Sequence, residues 1–434
     1  MTTIYVVLTP IIKHSKATYR FRMSMKKVAC IVITILSHHI TSAQTTHYLS
    51  QVGLVDSLYS EILGEWRGIF IQLPNGYEME NEKKYPVAYI IDGEVLLPTA
   101  SNIHDFYSGG FMPEMIFVGI SNAENRTRDL TPSKIATKYG MPFSETNGES
   151  QNFRKFFQEE LIPYVEQKYR ATNYRTLIGH SYGGLFTIYT LLNSPHLFAN
   201  YVSIDPSLDW DDQLLLRQAT TLLPKMDLTG KSLYISLSGQ LHMQNPSITI
   251  DNVMQDTTDF TVFTRSNISF SNLVKANNQN GLLHEWQFYP NDIHGTIAQP
   301  SMRDGLLETF KWFQMEHTDK INSFDTPLEE LLSIINHRAA KLKSHFGYDE
   351  PAYPEELLNM SGYMNLDMDQ PEKAKMYFEQ TIRFYPESAN AYDSMADYYL
   401  AQKDNAKALK FVEKAFAISE SDYHRNKIEE LRKE

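Results

Sequence analysis

Short apolar runs alternate with longer amphipathic stretches through the first three quarters of the chain. In the stretch 153–169, apolar and aromatic residues recur at the spacing of a helix that buries one face. Strands that are apolar throughout and alternate with helices indicate a parallel sheet covered by helices on both faces. After a leading segment at 56–64, strands are predicted at 66–73, 87–91, 115–120, 201–204, 232–237 and 285–289, and further helices at 211–223, 256–277 and 302–313.

The pattern changes after about residue 316. Residues 317–326 are polar, and beyond them the sequence predicts helices rich in Ala, Leu, Glu and Lys. A repeat of 34 residues, the tetratricopeptide period, relates two stretches of this region, and helices at 328–346 and 423–433 would cap the stack. An unrelated helical bundle is the alternative. The repeat rests on the pairs Leu358 and Tyr392, Gly362 and Ala396, Ala374 and Ala408, and Phe378 and Val412.

The N-terminal stretch has the features of an export signal. A basic start at 25–27 precedes an apolar core at 28–36 and small residues at 41–43, so we expect cleavage before Gln44. The core is too short to span a membrane, and residues 1–24 suggest that an upstream start codon was assigned in error. A short buried N-terminal helix is the alternative. We expect a periplasmic or secreted mature protein without a membrane span. The predicted layout is a signal at 1–43, an α/β domain at 44–315, a linker at 316–326 and a helical domain at 327–434.

The net charge limits the class of partner. The 434 residues carry a formal charge of −12, and residues 1–43 contribute six basic residues and no acid, so the predicted mature chain stands at −18. Such a surface argues against nucleic acid as a partner, because nucleic-acid binding rests on basic patches. Cys30, the only cysteine, lies in the predicted signal, so we expect no disulfide, thiol nucleophile or thiolate metal site in the mature chain.

Candidate chemistry centres on Ser181. It lies in Gly179-His180-Ser181-Tyr182-Gly183, between an apolar run at 176–178 and the apolar stretch 185–192. This pattern predicts a strand, a tight turn and a buried helix, the nucleophile elbow that lifts a serine hydroxyl above a parallel sheet. The glycines allow strand and helix to approach closely. The His180 side chain should point away along the elbow and pack.

A serine nucleophile needs a base and donors for an oxyanion. His294 fits the base, since it lies in a loop between the last predicted strand and the closing helix. The Tyr182 backbone N–H is the first expected oxyanion donor. The second would come from the loop after strand 87–91, at Gly93 or its neighbour Glu94. The alternative for Gly93 is a plain turn glycine.

The sequence leaves open which residue is the acid that would orient the base. It is expected just behind strand 232–237, but Gln240 stands there and cannot carry the charge. We favour Asp256 narrowly, although Asp before Thr-Thr is also a natural helix N-cap. Asp251, Asp205 and a serine–histidine dyad without a close carboxylate are the other possibilities.

Five blocks follow one another along the chain: Tyr85-Pro-Val-Ala-Tyr-Ile-Ile-Asp-Gly-Glu94, Arg126-Thr-Arg-Asp-Leu-Thr-Pro132, Gly179-His-Ser-Tyr-Gly-Gly184, Asp205-Pro-Ser-Leu208 and Tyr289-Pro-Asn-Asp-Ile-His-Gly295. Together they resemble the bacterial putative esterase group of the α/β-hydrolase superfamily, which includes enterochelin and salmochelin, feruloyl and acetylxylan esterases and S-formylglutathione hydrolase-like enzymes. The resemblance covers roughly residues 55–315. It implies an α/β-hydrolase fold with Ser181 as nucleophile and His294 as base, and Gln240 departs from the group's usual carboxylate. Exported members followed by tetratricopeptide helices are similar to this layout.

These features predict a serine hydrolase that cleaves carboxylic esters without a metal or organic cofactor. The substrate would be a small-molecule ester, such as a siderophore, an acyl sugar or a peptide-like ester. The polar loop 122–150 could shape the substrate mouth through Arg126 and Arg128, or those arginines could pair with Asp129 and fix the loop. The alternatives are acyl transfer to an acceptor other than water, and a weakly catalytic fold that binds a protein or itself through the C-terminal helices.

Overall fold

The computed structural model describes residues 52–78, 83–242 and 244–433; the predicted export signal lies outside them. Its centre is an eight-stranded sheet of β1 (Leu54–Ser60), β2 (Glu65–Gln72), β3 (Tyr85–Ile91), β4 (Ile116–Ile120), β7 (Ala171–His180), β8 (Asn200–Ile204), β9 (Ser232–Ser238) and β10 (Leu283–Tyr289). The strand order is β1-β2-β4-β3-β7-β8-β9-β10. Strands β1 and β2 run antiparallel to their neighbours, and the others pair in parallel. A separate ribbon pairs β5 (Thr137–Lys138) with β6 (Met141–Pro142).

Helices cover both faces of the sheet. Along β3, Val87, Tyr89 and Ile91 belong to one apolar cluster, and Ala88 and Ile90 belong to another. Successive strand residues point to opposite faces, so both faces are buried and the predicted α/β-hydrolase class is confirmed. The helices of this part are α1 (Gly93–Tyr107), α2 (Arg126–Leu130), α3 (Ser150–Phe156), α4 (Ile162–Lys168), α5 (Tyr182–Asn193), α6 (Trp210–Leu222), α7 (Val262–Ala276) and α8 (Ala298–Thr309).

Three elements differ from the prediction. The leading segment pairs with β2 as strand β1, although its alternation is weak and polar residues such as Asp56 and Ser57 interrupt it. Helix α1 contains Pro98, which hides its helical pattern. The helix expected at 256–277 starts only at Val262, after two short 3-10 turns.

The C-terminal part is helical, as predicted. Its helices are α9 (Thr318–Ile321), α10 (Leu328–Phe346), α11 (Glu355–Asp367), α12 (Pro371–Phe384), α13 (Ala389–Ala401), α14 (Asn405–Ser419) and α15 (Asp422–Leu431). Helices α11 and α13 begin 34 residues apart, and so do α12 and α14, in agreement with the spacing found in the sequence. Gly362 lies where α11 crosses α12, because a Cβ there would meet the Phe378 ring at 2.4 Å.

Helix α10 joins the helical part to the sheet part. Leu342 and Phe346 lie in the apolar cluster beneath one face of the sheet, and the Phe346 ring packs edge-on against Tyr174 at 5.0 Å. The buried Arg338 guanidinium donates hydrogen bonds to the carbonyls of Ala352 and Gln314. The apolar core therefore continues from the sheet into α10. Among the described helices, none combines the length and the apolar character needed to cross a membrane.

Candidate functional site

The turn between β7 and α5 holds Ser181 in a strained backbone conformation, with φ 61° and ψ −117°. The strand before the turn and the helix after it touch. A Cβ added to Gly179 would lie 2.2 Å from the backbone of Gly183. The helix also packs on the end of β8, because a Cβ added to Gly184 would lie 3.0 Å from Pro206. Only glycine at 179 permits this approach. The sequence therefore builds the elbow geometry, with the serine at its tip.

The His294 imidazole lies next to the serine. Its Nε2 atom is 3.0 Å from Ser181 Oγ. The histidine stands in the loop between β10 and α8, residues 290–297, which we call the histidine loop. Its side chain is 37% exposed, and the Phe263 ring from α7 meets it edge-on at 5.4 Å. The structure thus brings together the two residues predicted as nucleophile and base, within the reach of a proton transfer.

Asp205 is the carboxylate that contacts the imidazole. Its Oδ2 atom lies 2.7 Å from His294 Nδ1, and its Oδ1 atom accepts the Ser238 backbone N–H at 2.9 Å. The residue is completely buried and has a left-handed φ of 41° at the end of β8. Strand β8 pairs with β7, so the residue that follows it reaches the elbow from the adjacent strand end.

The preference for Asp256 as the acid needs correction, because Asp205 is the carboxylate that contacts His294. The Asp256 carboxylate accepts hydrogen bonds from the N–H and the O–H of Thr258, which lower its pKa. Because Asp and Thr two positions apart form their own local turn, this carboxylate is engaged away from His294. It does not cap α7 either, since that helix starts at Val262. Asp251 is exposed on the same segment.

Side chains also bind the backbone of His294. Gln240 Oε1 accepts the His294 N–H at 3.1 Å, and His180 Nε2 lies 2.9 Å from the His294 carbonyl oxygen. The two imidazole rings lie 4.7 Å apart. Burial, with a contribution from His294, lowers the pKa of His180 to about 4. The ring of His180 is therefore neutral near pH 7 and packs behind the elbow, on the histidine loop.

Two helices begin near the elbow, since a Cβ added to Gly183 would lie 3.7 Å from Asp92 Oδ2. Tyr182 is the first residue of α5, and Gly93 is the first residue of α1. Backbone N–H groups in the first turn of a helix have no intrahelical carbonyl partner, so they can donate to an anion. Gly93 also packs on β4, because a Cβ there would lie 2.4 Å from Gly119 Cα. The glycine therefore has a packing role whether or not its N–H binds an oxyanion.

Arg126 links the two turns that carry these N–H groups. Its guanidinium binds both carboxylate oxygens of Asp92 at 2.9–3.0 Å and donates to the His180 carbonyl at 3.2 Å. Arg128, by contrast, pairs with Glu65 and with the buried Asp129. Arg128 therefore fixes its own loop through Asp129, which is one of the two expectations for these arginines. Arg126 instead contacts the elbow through the His180 carbonyl.

Two contacts of the site, made by Ser207 and Gln240, are not predicted by the sequence. Ser207 Oγ lies 3.4 Å from Ser181 Oγ, and its N–H donates to the Ser181 carbonyl. The Asp205-Pro-Ser-Leu208 block lies at the end of β8 and could be identified from the sequence. The contact of Ser207 with the elbow depends on the pairing of β7 with β8. Across the described ranges, no group of three or more His, Cys, Asp or Glu side chains could hold a metal ion.

Comparisons with known proteins find a matching family, similar sequences and a similar fold. A family model described as "Putative esterase" matches residues 60–285, more than half of the chain. The ferri-bacillibactin esterase BesA of Bacillus subtilis is 28% identical over 188 residues, which are 39% of this chain and 65% of that protein. The apo-salmochelin esterase of Escherichia coli is 29% identical over 234 residues, 52% of this chain and 69% of that protein. The matches thus span about two thirds of the length of these relatives.

A solved structure shares the fold. An IroE-like serine hydrolase from Shewanella oneidensis superposes with a TM-score of 0.62 at 24% sequence identity, and the match covers 76% of this chain and 99% of that one. At this identity the likeness concerns the α/β architecture.

Proposed function

This chain belongs to the family described as "Putative esterase", and we propose that it is a serine esterase that hydrolyses carboxylic esters through an acyl-enzyme on Ser181. One observation carries the proposal: the hydrogen-bonded series from Ser181 Oγ through the His294 ring to Asp205 Oδ2. A serine, an imidazole and a buried carboxylate in this order are the groups that acyl transfer to serine requires.

In the proposed reaction His294 Nε2 takes the proton of Ser181 as Oγ attacks the ester carbonyl carbon. The negative charge that develops on the carbonyl oxygen is received by the N–H of Tyr182 and that of Gly93. The tetrahedral intermediate collapses, and the imidazolium gives its proton to the leaving alcohol. Water then attacks the acyl-enzyme with His294 again as base, which releases the carboxylic acid and restores the serine.

Asp205 would hold the imidazole in the tautomer that this chemistry needs. Its carboxylate accepts Nδ1–H, which leaves the Nε2 lone pair directed at the serine, and it stabilises the imidazolium once formed. His180 carries no competing charge at neutral pH, since burial keeps its pKa near 4. The site therefore contains one imidazole that cycles between neutral and charged forms and one that stays neutral.

We propose a siderophore ester as the substrate and export as the fate of the chain. The support for the substrate is the set of relatives, which includes esterases of ferri-bacillibactin and apo-salmochelin. The support for export is the signal-like pattern of residues 1–43. Both features fit an enzyme that meets an exported or imported ester outside the cytoplasm.

The test compares wild-type protein with Ser181→Ala, using residues 44–434. A fluorophosphonate probe should label the wild-type serine and not the variant. Turnover of an ester panel with siderophore, feruloyl and acetyl-sugar members should fall by about 10⁴-fold or more in the variant. Product analysis separates hydrolysis from transfer to another acceptor. Absence of labelling and of turnover in the wild type would contradict the proposal and leave the C-terminal helices as the working part.

A further inference from the structure

Both backbone polar groups of His294 are bound by side chains from outside the histidine loop. The amide N–H donates to Gln240 Oε1 at 3.1 Å, and the carbonyl oxygen accepts from His180 Nε2 at 2.9 Å. Gln240 follows strand β9, and His180 ends strand β7. The residue that carries the imidazole is thus tied to two strand ends, in addition to the Asp205 contact on its ring.

We propose that Gln240 and His180 are positioning residues for His294, which fix its main chain so that Nε2 stays at hydrogen-bond distance from Ser181. The inference rests on the proposed function, because it assigns these residues a part in the same reaction. Neither residue touches the reacting atoms, and each acts through His294.

The histidine loop needs such support because it is exposed on both sides of His294. Gly295, the next residue, is exposed, and a Cβ added to it would have no atom within 4 Å. The preceding residue, Ile293, is 55% exposed. Its hydrogen bonds within the loop, such as those that Thr296 makes with Asp292 and Ile293, close local turns. They do not by themselves remove the backbone freedom of the loop relative to the sheet. Hydrogen bonds from ordered strand ends oppose that freedom at the one residue whose position decides catalysis.

The contacts at the end of β9 position Gln240 next to the backbone of His294. A Cβ added to Gly239 would lie 2.3 Å from the Pro290 carbonyl oxygen, so the two chain segments touch there. The Gly239 N–H also donates to the Asp292 carbonyl at 2.8 Å. This contact sets Gln240 beside the backbone of His294.

His180 is suited to the other half of the arrangement. A neutral imidazole has one N–H, and donation to the His294 carbonyl requires that proton on Nε2. The lowered pKa of His180 favours this neutral form throughout the neutral pH range. The ring therefore supplies one donor, faces the neighbouring imidazole at 4.7 Å and brings no charge against it.

The experiment uses Gln240→Leu, which removes the acceptor, and Gln240→Glu, which keeps one. Displacing a catalytic group by about 1 Å can cost about 100-fold in rate, so for a loosened loop we expect kcat to fall about 10-fold in the leucine variant. KM should stay within about twofold, because substrate binding groups are unchanged. The glutamate variant should recover most of the lost kcat. Gln287→Leu, at an exposed position of β10, is the matched control and should keep wild-type kinetics.

A second measurement does not depend on activity. Amide hydrogen exchange at His294, followed by NMR, should be about 10-fold faster or more in Gln240→Leu than in the wild type or in Gln240→Glu. If the wild type is active but the leucine variant matches it in kcat and in His294 exchange, the inference is overturned and the proposed function stands. The inference also fails if the leucine and glutamate variants lose kcat equally. A wild-type protein that neither hydrolyses esters nor reacts with the fluorophosphonate probe overturns both.

Discussion

The elbow and the histidine loop hold their key residues by different means. Ser181 is held by its own backbone: a strained turn, a strand and a helix in contact, and glycines that allow the contact. His294 sits in an open loop and is held by side chains from other parts of the chain. The elbow follows largely from neighbouring residues, with added backbone hydrogen bonds to the end of β8. The contacts of His294 depend entirely on which strand ends meet in the folded sheet.

The contrast shows where each half of the site is vulnerable. Substitutions near the elbow should act on folding, because they push backbone against backbone. Substitutions around the histidine loop should act on catalysis, because the loop can relax while the fold remains. Three experiments test this division, from the largest expected effect to the smallest.

Asp205→Asn should lower kcat by about 10³–10⁴-fold, because an amide cannot hold the imidazole in the required tautomer or stabilise its charged form. The asparagine can still accept the Ser238 N–H, so the fold should persist. Steady-state kinetics on an activated ester measures the loss. Asp256→Asn is the control and should change kcat by less than about twofold, since that residue is engaged with Thr258. Equal losses in the two variants would remove Asp205 from its proposed role.

Gly179→Ala should destabilise the protein by about 3 kcal/mol or prevent its folding, because the new methyl group lies 2.2 Å from the Gly183 backbone. Gly295→Ala in the histidine loop should cost less than about 1 kcal/mol, since no atom lies within 4 Å of its Cβ. Urea unfolding followed by circular dichroism compares the two. Similar losses of stability at both positions would break the contrast between a backbone-held and a side-chain-held region.

His180→Gln should make the free energy of unfolding depend less on pH between pH 6.5 and about 4. Between pH 6.5 and about 4 the unfolded chain binds a proton at His180 that the folded chain does not, so folding stability falls as the pH falls. Glutamine can donate the same hydrogen bond without titrating, so the slope should decrease by up to about 1.4 kcal/mol per pH unit. Urea unfolding at pH 6.5, 5.5 and 4.5 measures it, with exposed His196→Gln as the matched control. An unchanged slope in His180→Gln would contradict the expectation.

The sequence predicts what local patterns encode. The two glycines around Ser181 and the apolar residues on either side are enough to predict the elbow, because strand, turn and helix follow one another without a gap. The sheet class follows in the same way from the apolar runs. Strand β1 and helix α1 are not predicted because single residues interrupt their patterns. Asp56 and Ser57 interrupt the apolar alternation of β1, and Pro98 interrupts the helical pattern of α1.

The acid contact of His294 could not be chosen from the sequence, because it is a non-local property. Asp205 and Asp256 both follow predicted strands at plausible distances, and only the pairing of β8 with β7 brings the first of them to the elbow. The contact of Gln240 with His294 could not be predicted from the sequence either. Chemistry alone says that an amide is not an acid, and only the fold shows that its oxygen faces a backbone N–H.

Helix α10 has a consequence for how the chain can be divided. The polar stretch at 317–326 marks an obvious place to cut, yet Leu342 and Phe346 beyond it fill the apolar cluster that also contains Tyr174 and Phe310. A fragment ending at that stretch would leave these aromatic rings open to solvent and prone to self-association. The smallest soluble fragment that contains the site should therefore extend past Phe346. Helices α13–α15 contribute no residue to this cluster and are the part that could be exchanged.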